Sequence, residues 1–326
     1  MKIVFTLCSN NYLAQAITLG QSLKNTNKEI QFFIGLIDQL NSSLNYDEVR
    51  AVATILPLQD IIDHKLLTDL VNKYDIIELN TSVKPSYFKY FIHQFPDLER
   101  IYYLDPDIEV FHSFDHLDQQ LLNASILLSP HFLSPIPLDN KLPQENLATN
   151  YGMYNLGFLG LNPKHQASLS MLDWWEERCL TNCFINEPAG VFVDQLYMNH
   201  VPIFFKEVKI LEEKGINMAP WNLHERKLVE IKNGAYKLEH NEPLIFYHFS
   251  SYQFSNPSRI SKYYNRYTFD DLPVLGELYS AYHQKVMDNG YDLFSMATCF
   301  YNKAPKKTVK QKIKFRIKNI LKLIKA

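Results

Sequence analysis

Two carboxylates separated by one residue, Asp105 and Asp107, interrupt an otherwise apolar run over residues 100–111, RIYYLDPDIEVF. Acids at i and i+2 on a turn can converge on one hard cation, and oxygen ligands of this kind suit Mg²⁺ or Mn²⁺. Asp-Pro-Asp is also ordinary turn chemistry, and short matches of this form arise by chance. Position sharpens the metal reading. Residues 101–104 read as a buried strand, and Pro106 removes a ladder donor, so the strand must end where the acids begin. His248 is a second candidate, closing the apolar run 244–247. A histidine at a strand end is more often a hydrogen-bonded structural residue than a ligand. Asp194 stands near the start of a helical pattern over 191–200, where a carboxylate could merely cap the helix. Lys84 and Lys89 could neutralise a phosphate or form a solvated helix face.

The elements that must position these residues alternate between strand and helix. Residues 2–7 read as a strand and 12–23 as a helix that Ser9-Asn10-Asn11 could cap. Strands at 32–37 and 52–56 and a helix at 61–73 continue the alternation, which predicts a mostly parallel sheet. Such sheets bind ligands beyond the carboxyl ends of their strands, so the loop at 8–11 and the acids at 105 and 107 should share one crevice. A helix at 82–95 carries both lysines. A strand at 126–128 precedes a segment, 129–150, with four prolines; loops of that length are often functional lids. Residues 153–162 alternate like a strand, with Gly157 and Gly160 where a ligand or backbone could approach closely. A helix should run from Pro163 to about Cys179, another from near Asp194 within 191–200, and strands at 228–231 and 244–247.

With 326 residues, 46% apolar, the chain can bury a large core in one large domain or two small ones. No stretch approaches the roughly 18 apolar residues of a membrane span, and MKIVFTLCSNN lacks the features of a signal peptide, so a cytoplasmic location is expected. The four cysteines are sparse, and Cys179 and Cys183 suit one helix face rather than a zinc or redox loop. Ten glycines without GxGxxG or a Walker pattern disfavour a dinucleotide enzyme or P-loop ATPase. The net charge of −2 hides an asymmetry: residues 305–326 carry nine Lys or Arg and no acid, leaving −11 on the remainder. Val309, Ile313, Ile317, Ile320, Leu321 and Ile324 form one apolar stripe at helical spacing, which predicts a basic amphipathic helix docked on the inner face of the cell membrane. Near an anionic bilayer each lysine contributes about 1 kcal/mol. A helix packed on the acidic body and a disordered lysine-rich tail are the competing readings.

In their shared order and spacing, VFTLCSNNY, YLDPDIEVF, YNLGFLGLN, the Asp194-Gln195 pair, PWNLHER and HFSSYQFSNPSRISKYYNR resemble the GT-A-fold nucleotide-sugar glycosyltransferases, most closely glycosyltransferase family 8 and its bacterial relatives. The resemblance runs from about residue 3 to 266. It implies a Rossmann-like mixed sheet flanked by helices in a catalytic domain over 1–268, with a helical extension at 269–304 and the tail at 305–326. It also implies Mn²⁺ or Mg²⁺ on Asp105, Asp107 and His248; donor contacts from Thr6, Cys8, Asn10, Asn11, Tyr12, Lys84, Lys89, Asp105 and Asn155; and Asp194 and Gln195 at the reacting sugar. Two departures stand out. Ser251 replaces the glycine of the family's HFSG motif, and the Lys-Pro-Trp that often follows is replaced by a segment in which Arg259 or Lys262 could bind the diphosphate. The implied activity is metal-dependent, retaining transfer from a nucleotide-diphosphate sugar to a glycan or lipid-linked acceptor, in bacterial surface polysaccharide synthesis. No nucleic-acid partner is expected. An inverting reaction, a nucleotidyltransferase acting on sugar phosphates, and a non-catalytic membrane-surface protein with a degenerate transferase fold remain open.

Overall fold

The structure is a computed structural model that describes residues 1–232 and 235–302. The basic tail therefore lies outside the described residues. In chain order the strands are β1 (Lys2–Cys8), β2 (Ile30–Leu36), β3 (Thr54–Pro57), β4 (Arg100–Leu104), β5 (Ile108–Val110), β6 (Ile126–Pro130), β7 (Tyr154–Leu161), β8 (Ile185–Asn186), β9 (Val191–Phe192), β10 (Val208–Ile210), β11 (Leu228–Lys232), β12 (Ala235–Leu238) and β13 (Phe246–His248). Seven of them form one sheet in the order β10-β6-β7-β4-β1-β2-β3. Only β7 runs against the others. The sheet is thus mixed and mostly parallel, as the alternation of elements predicted.

Period-two alternation splits β1 between two cores. Ile3, Phe5 and Leu7 face one, and Val4 and Cys8 face the other. Burial on both faces is what a parallel sheet covered by helices demands. Helix Leu13–Thr26 covers one face. Helices Lys84–Gln94 and Gln166–Asn182 cover the other, where the ring of Phe5 meets Phe88, Phe91 and Tyr103. Helix Pro273–Asp288, in the expected extension, shares the first core: Tyr282 stacks on Phe249 and Tyr279 packs against Tyr247.

Several local expectations needed correction. The helix expected over 82–95 is present as Lys84–Gln94, with Pro85 in its first turn, and an additional helix, Ile76–Ser82, precedes it across Val83. Asp63 and Asp75 supply caps that shorten or add helices around it. Pro163 does not open the following helix, which begins at Gln166. Asp194 starts no helix; it lies between β9 and the 3-10 turn Leu196–His200, next to Val193 at φ 40°. Within the proline-rich segment a short helix, Asn146–Tyr151, forms. The four cysteines are free thiols. No helix among the described residues is long and apolar enough to cross a membrane.

Candidate active site

The site forms where β1 and β4, adjacent and parallel, both end. β4 stops at Leu104, the Asp105 amide donates to the Gly157 carbonyl at 2.9 Å, and a turn closes from Ile108 N to Asp105 O at 3.2 Å. The chain then enters β5, which pairs antiparallel with β13, setting His248 opposite Ile108. Phe249 N donates to Asp107 O at 2.9 Å and His248 N to Met218 O at 2.8 Å, so backbone bonds hold the imidazole from both sides. His248 Nε2 lies 3.1 Å from Asp107 Oδ1 and 3.7 Å from Asp105 Oδ2. One ligand atom from each of Asp105, Asp107 and His248 falls within 4.8 Å of the others. Two half-buried carboxylates and a buried neutral-capable imidazole form a donor set that fits Mn²⁺ or Mg²⁺, with the exposed side left for ligand oxygens.

Electrostatics agree with that geometry. Burial alone would lower the basicity of His248, but Asp107 and Asp105 outweigh it and raise the pKa above its ordinary value. Desolvation raises the Asp105 carboxyl, opposed by Lys84 and His248. Tyr103, two residues back on the same side of β4, donates its hydroxyl to Asp105 Oδ1 at 2.6 Å. Gly157 makes room for this arrangement. A β-carbon there would stand 2.4 Å from His248 Cε1 and 2.8 Å from Asn155 Oδ1. The close approach anticipated at Gly157 is thus made by a site histidine, and at Gly160 by the ring of Tyr102.

Two cavities flank the triad. The smaller, about 270 Å³, is lined by Cys8, Asn11, Tyr12, Asn80, Thr81 and the two aspartates, among others. The larger, about 650 Å³, is lined by Asn155, Gln195 and Trp221, whose ring meets His248 edge-on at 5.1 Å. Gln195 is fixed by its own bonds: Oε1 accepts from Leu156 N at 2.9 Å, and Nε2 donates to Tyr151 O at 2.8 Å.

Several anticipated site residues lie elsewhere. Thr6 is fully buried and lines neither cavity. Asn10 is spent behind the wall, donating to Asp38 Oδ2 at 2.8 Å and accepting from the Tyr46 hydroxyl at 2.7 Å. Lys89 pairs with Glu176 and Asp173 on the neighbouring helix. It is Lys84, 3% exposed, that turns inward, reaching Asp194 Oδ2 at 2.7 Å and the Leu156 carbonyl at 3.0 Å. Asp194, expected to face the reacting sugar, is 1% exposed and lines neither cavity. Burial raises its carboxyl above the ordinary range, with Lys84 opposing. Arg259 and Lys262 are exposed.

Sequence reasoning missed Tyr103, His131 and Asp38. The i, i+2 spacing to Asp105 could have flagged Tyr103, whereas nothing local marks the other two. His131 lines the larger cavity, and burial holds its imidazole well below the usual value, at about 4. Asp38 is a buried hub that also accepts from Phe300 N at 2.8 Å, tying residues after the last helix to the loop at 8–12.

Comparison with known proteins gives this arrangement its class. Among solved structures, that of the galactosyltransferase LgtC in complex with donor and acceptor sugar analogs aligns with a TM-score of 0.52 at 16% identity, over 87% of this chain and 95% of that one. The apo structure of the bifunctional glycosyltransferase WbbM aligns at 0.50 and 14%, over 90% of this chain and 50% of that one. The fold is therefore that of the GT-A glycosyltransferases. Residues 3–178 match the family described as glycosyl transferase family 8. Two curated relatives come from Bacillus subtilis (strain 168): the uncharacterized protein YfnF, 30% identical over 275 residues (84% of this chain, 89% of YfnF), and the uncharacterized protein YfnD, 24% identical over 249 residues (76% of each). The chain belongs to glycosyl transferase family 8, and it is a glycosyltransferase.

Proposed function

We propose that the protein transfers a sugar from a nucleotide-diphosphate donor to a glycan or lipid-linked acceptor, with Asp105, Asp107 and His248 holding Mn²⁺ or Mg²⁺. The observation that carries this is the convergence of those three side chains at the strand ends, between two cavities. A divalent ion bound there supplies Lewis-acid stabilisation of the leaving diphosphate. In this reading the loop at 8–12 and residues 76–81 enclose the nucleoside, with Cys8, Asn11 and Tyr12 on its wall. Arg259 and Lys262 are the cations available to the phosphates. Asn155 and Gln195 face the transferred sugar from the larger cavity, and Gln195 lies nearest its anomeric carbon.

Retention of configuration is the stereochemical course we propose. Inversion needs a carboxylate base on the acceptor hydroxyl, and Asp194 is committed to Lys84 at 2.7 Å. Without a base, stabilisation of the departing diphosphate and of oxocarbenium-like charge carries the rate. The Lys84–Asp194 pair then braces β7 and the 3-10 turn that orient Asn155 and Gln195. The nine cations of residues 305–326 support attachment to an anionic membrane surface, as suits a role in surface polysaccharide synthesis. Calorimetric titration with a nucleoside diphosphate tests the donor assignment. Binding should require Mn²⁺ in the wild type and disappear in Asp107→Asn; equal binding with chelator would reject it.

A further inference from the structure

The larger cavity is lined almost entirely by uncharged side chains. Five rings, Tyr151, Phe192, Trp221, Tyr263 and Tyr264 with the imidazole of His131, make its walls, and side-chain amides fill much of the rest. No lysine or arginine lines it among the described residues, and its one carboxylate, Glu187, is exposed on the short turn Glu187–Ala189. His131 is neutral near pH 7 because burial suppresses its protonation. Lys262 sits 5.2 Å from the centroid of Tyr263 but is itself outside the lining.

The wall is also held rigidly, which explains the WNLHER segment. Asn222 accepts from Ala219 N at 2.9 Å and donates to His131 O and Asn217 O. Glu225 accepts from Leu133 N at 2.9 Å and from the Ser134 hydroxyl at 2.7 Å. Together these bonds lock Trp221 and His131 edge to face, 5.3 Å apart. Trp221 Nε1 is buried without a partner, leaving one donor of this wall unspent.

Flat aromatic faces pack against the C–H faces of a sugar ring, and amides pair with its hydroxyls. An anionic group brought here would lose water and meet Glu187, with no lysine or arginine in the lining to compensate it. We infer that this cavity receives the acceptor beside the transferred sugar that Asn155 and Gln195 face, and that it selects an uncharged sugar at the acceptor terminus over a uronate or a sugar phosphate. The volume of about 650 Å³ is ample for more than one sugar ring, since small-molecule sites span roughly 300–1,000 Å³. The inference rests on the glycosyltransferase reading.

The test is binding of three phenyl glycosides, a neutral hexoside, an N-acetylhexosaminide and a hexuronide, to the full chain with Mn²⁺ and a nucleoside diphosphate, followed by saturation-transfer NMR and competition. The hexuronide should bind at least about tenfold more weakly than the neutral glycosides, because like-charge contact is costly. Glu187→Lys should narrow that gap, and Tyr263→Ala should weaken the neutral glycosides. Equal or tighter binding of the hexuronide overturns the inference. So does neutral binding that neither variant alters, or binding of none of the three. Donor hydrolysis by the wild type, followed in parallel, reports on the transferase reading separately, since it needs no acceptor sugar.

Discussion

Replacing Lys84 with methionine removes one half of a buried ion pair and leaves the other half stranded. Asp194 Oδ2 lies 2.7 Å from the ammonium, and the two residues are 1% and 3% exposed. At that distance the attraction is about 6 kcal/mol for an effective dielectric near 20, and desolvation of each ion offsets several kcal/mol of it. Breaking such a pair from one side costs about 3–5 kcal/mol, which lowers the melting temperature of a chain this size by roughly 4–7 °C. Asp194→Asn should cost less, because Lys84 keeps the Leu156 carbonyl at 3.0 Å and the Tyr103 ring at 4.1 Å. The double variant should recover about 2 kcal/mol or more relative to additivity. Because burial raises the Asp194 carboxyl, its ionised form opposes folding once Lys84 is gone. The Lys84→Met deficit should therefore shrink as pH falls toward the ordinary aspartate value and grow as pH rises. Urea unfolding of the four proteins, at two pH values, measures all of this. Additive single-site losses, or losses below about 1 kcal/mol typical of exposed pairs, would refute the reasoning.

Asp105→Asn and Asp107→Asn should each abolish transfer while leaving the melting temperature within a few degrees, since both side chains face a cavity rather than the core; wild-type turnover of both at saturating Mn²⁺ would remove the metal assignment. Mn²⁺ affinity should fall as pH drops through the raised His248 pKa, because the ion must displace that proton, and titration calorimetry in two buffers of different ionisation enthalpy reads the released proton directly. Gly157→Ala forces a β-carbon to 2.4 Å from His248 Cε1; overpacking of this kind costs about 1–3 kcal/mol, and Mn²⁺ affinity should drop roughly 10-fold or more, measured by electron paramagnetic resonance of free Mn²⁺.

Residues whose position follows from the end of a strand are legible in the sequence alone. Asp105, Asp107 and His248 each close an apolar run, and a strand that stops delivers its next side chain to the sheet edge whatever the remaining fold. Gly157 was legible for a related reason, since a glycine inside a strand signals close approach. The misplaced residues share a different trait. Lys84 and Lys89 lie on one helix at a spacing that puts them on different faces, and the sequence cannot tell which of the two faces the sheet. Asn10 belongs to the right loop, but its partner, Asp38, arrives from the end of another strand. Asp194 was read as a helix start because Val191 to His200 carries helical spacing, whereas Trp175 Nε1 anchors its carbonyl at 3.1 Å and draws the side chain toward Lys84. Those outcomes depend on tertiary neighbours that no local pattern encodes. WNLHER could be quoted as a motif but not interpreted until Asn222 and Glu225 were seen to pin the segment carrying His131.

The central claim is that three side chains at two strand ends hold a divalent ion that activates a nucleotide sugar. Its most direct measurement is release of nucleoside diphosphate from a panel of nucleotide sugars by the wild type, with Mn²⁺ and with excess chelator. At least one donor should be cleaved with Mn²⁺, chelation should stop the reaction, and His248→Ala should fall to the chelated level. Cleavage that proceeds unchanged in chelator, or no cleavage of any donor at saturating Mn²⁺, would contradict it.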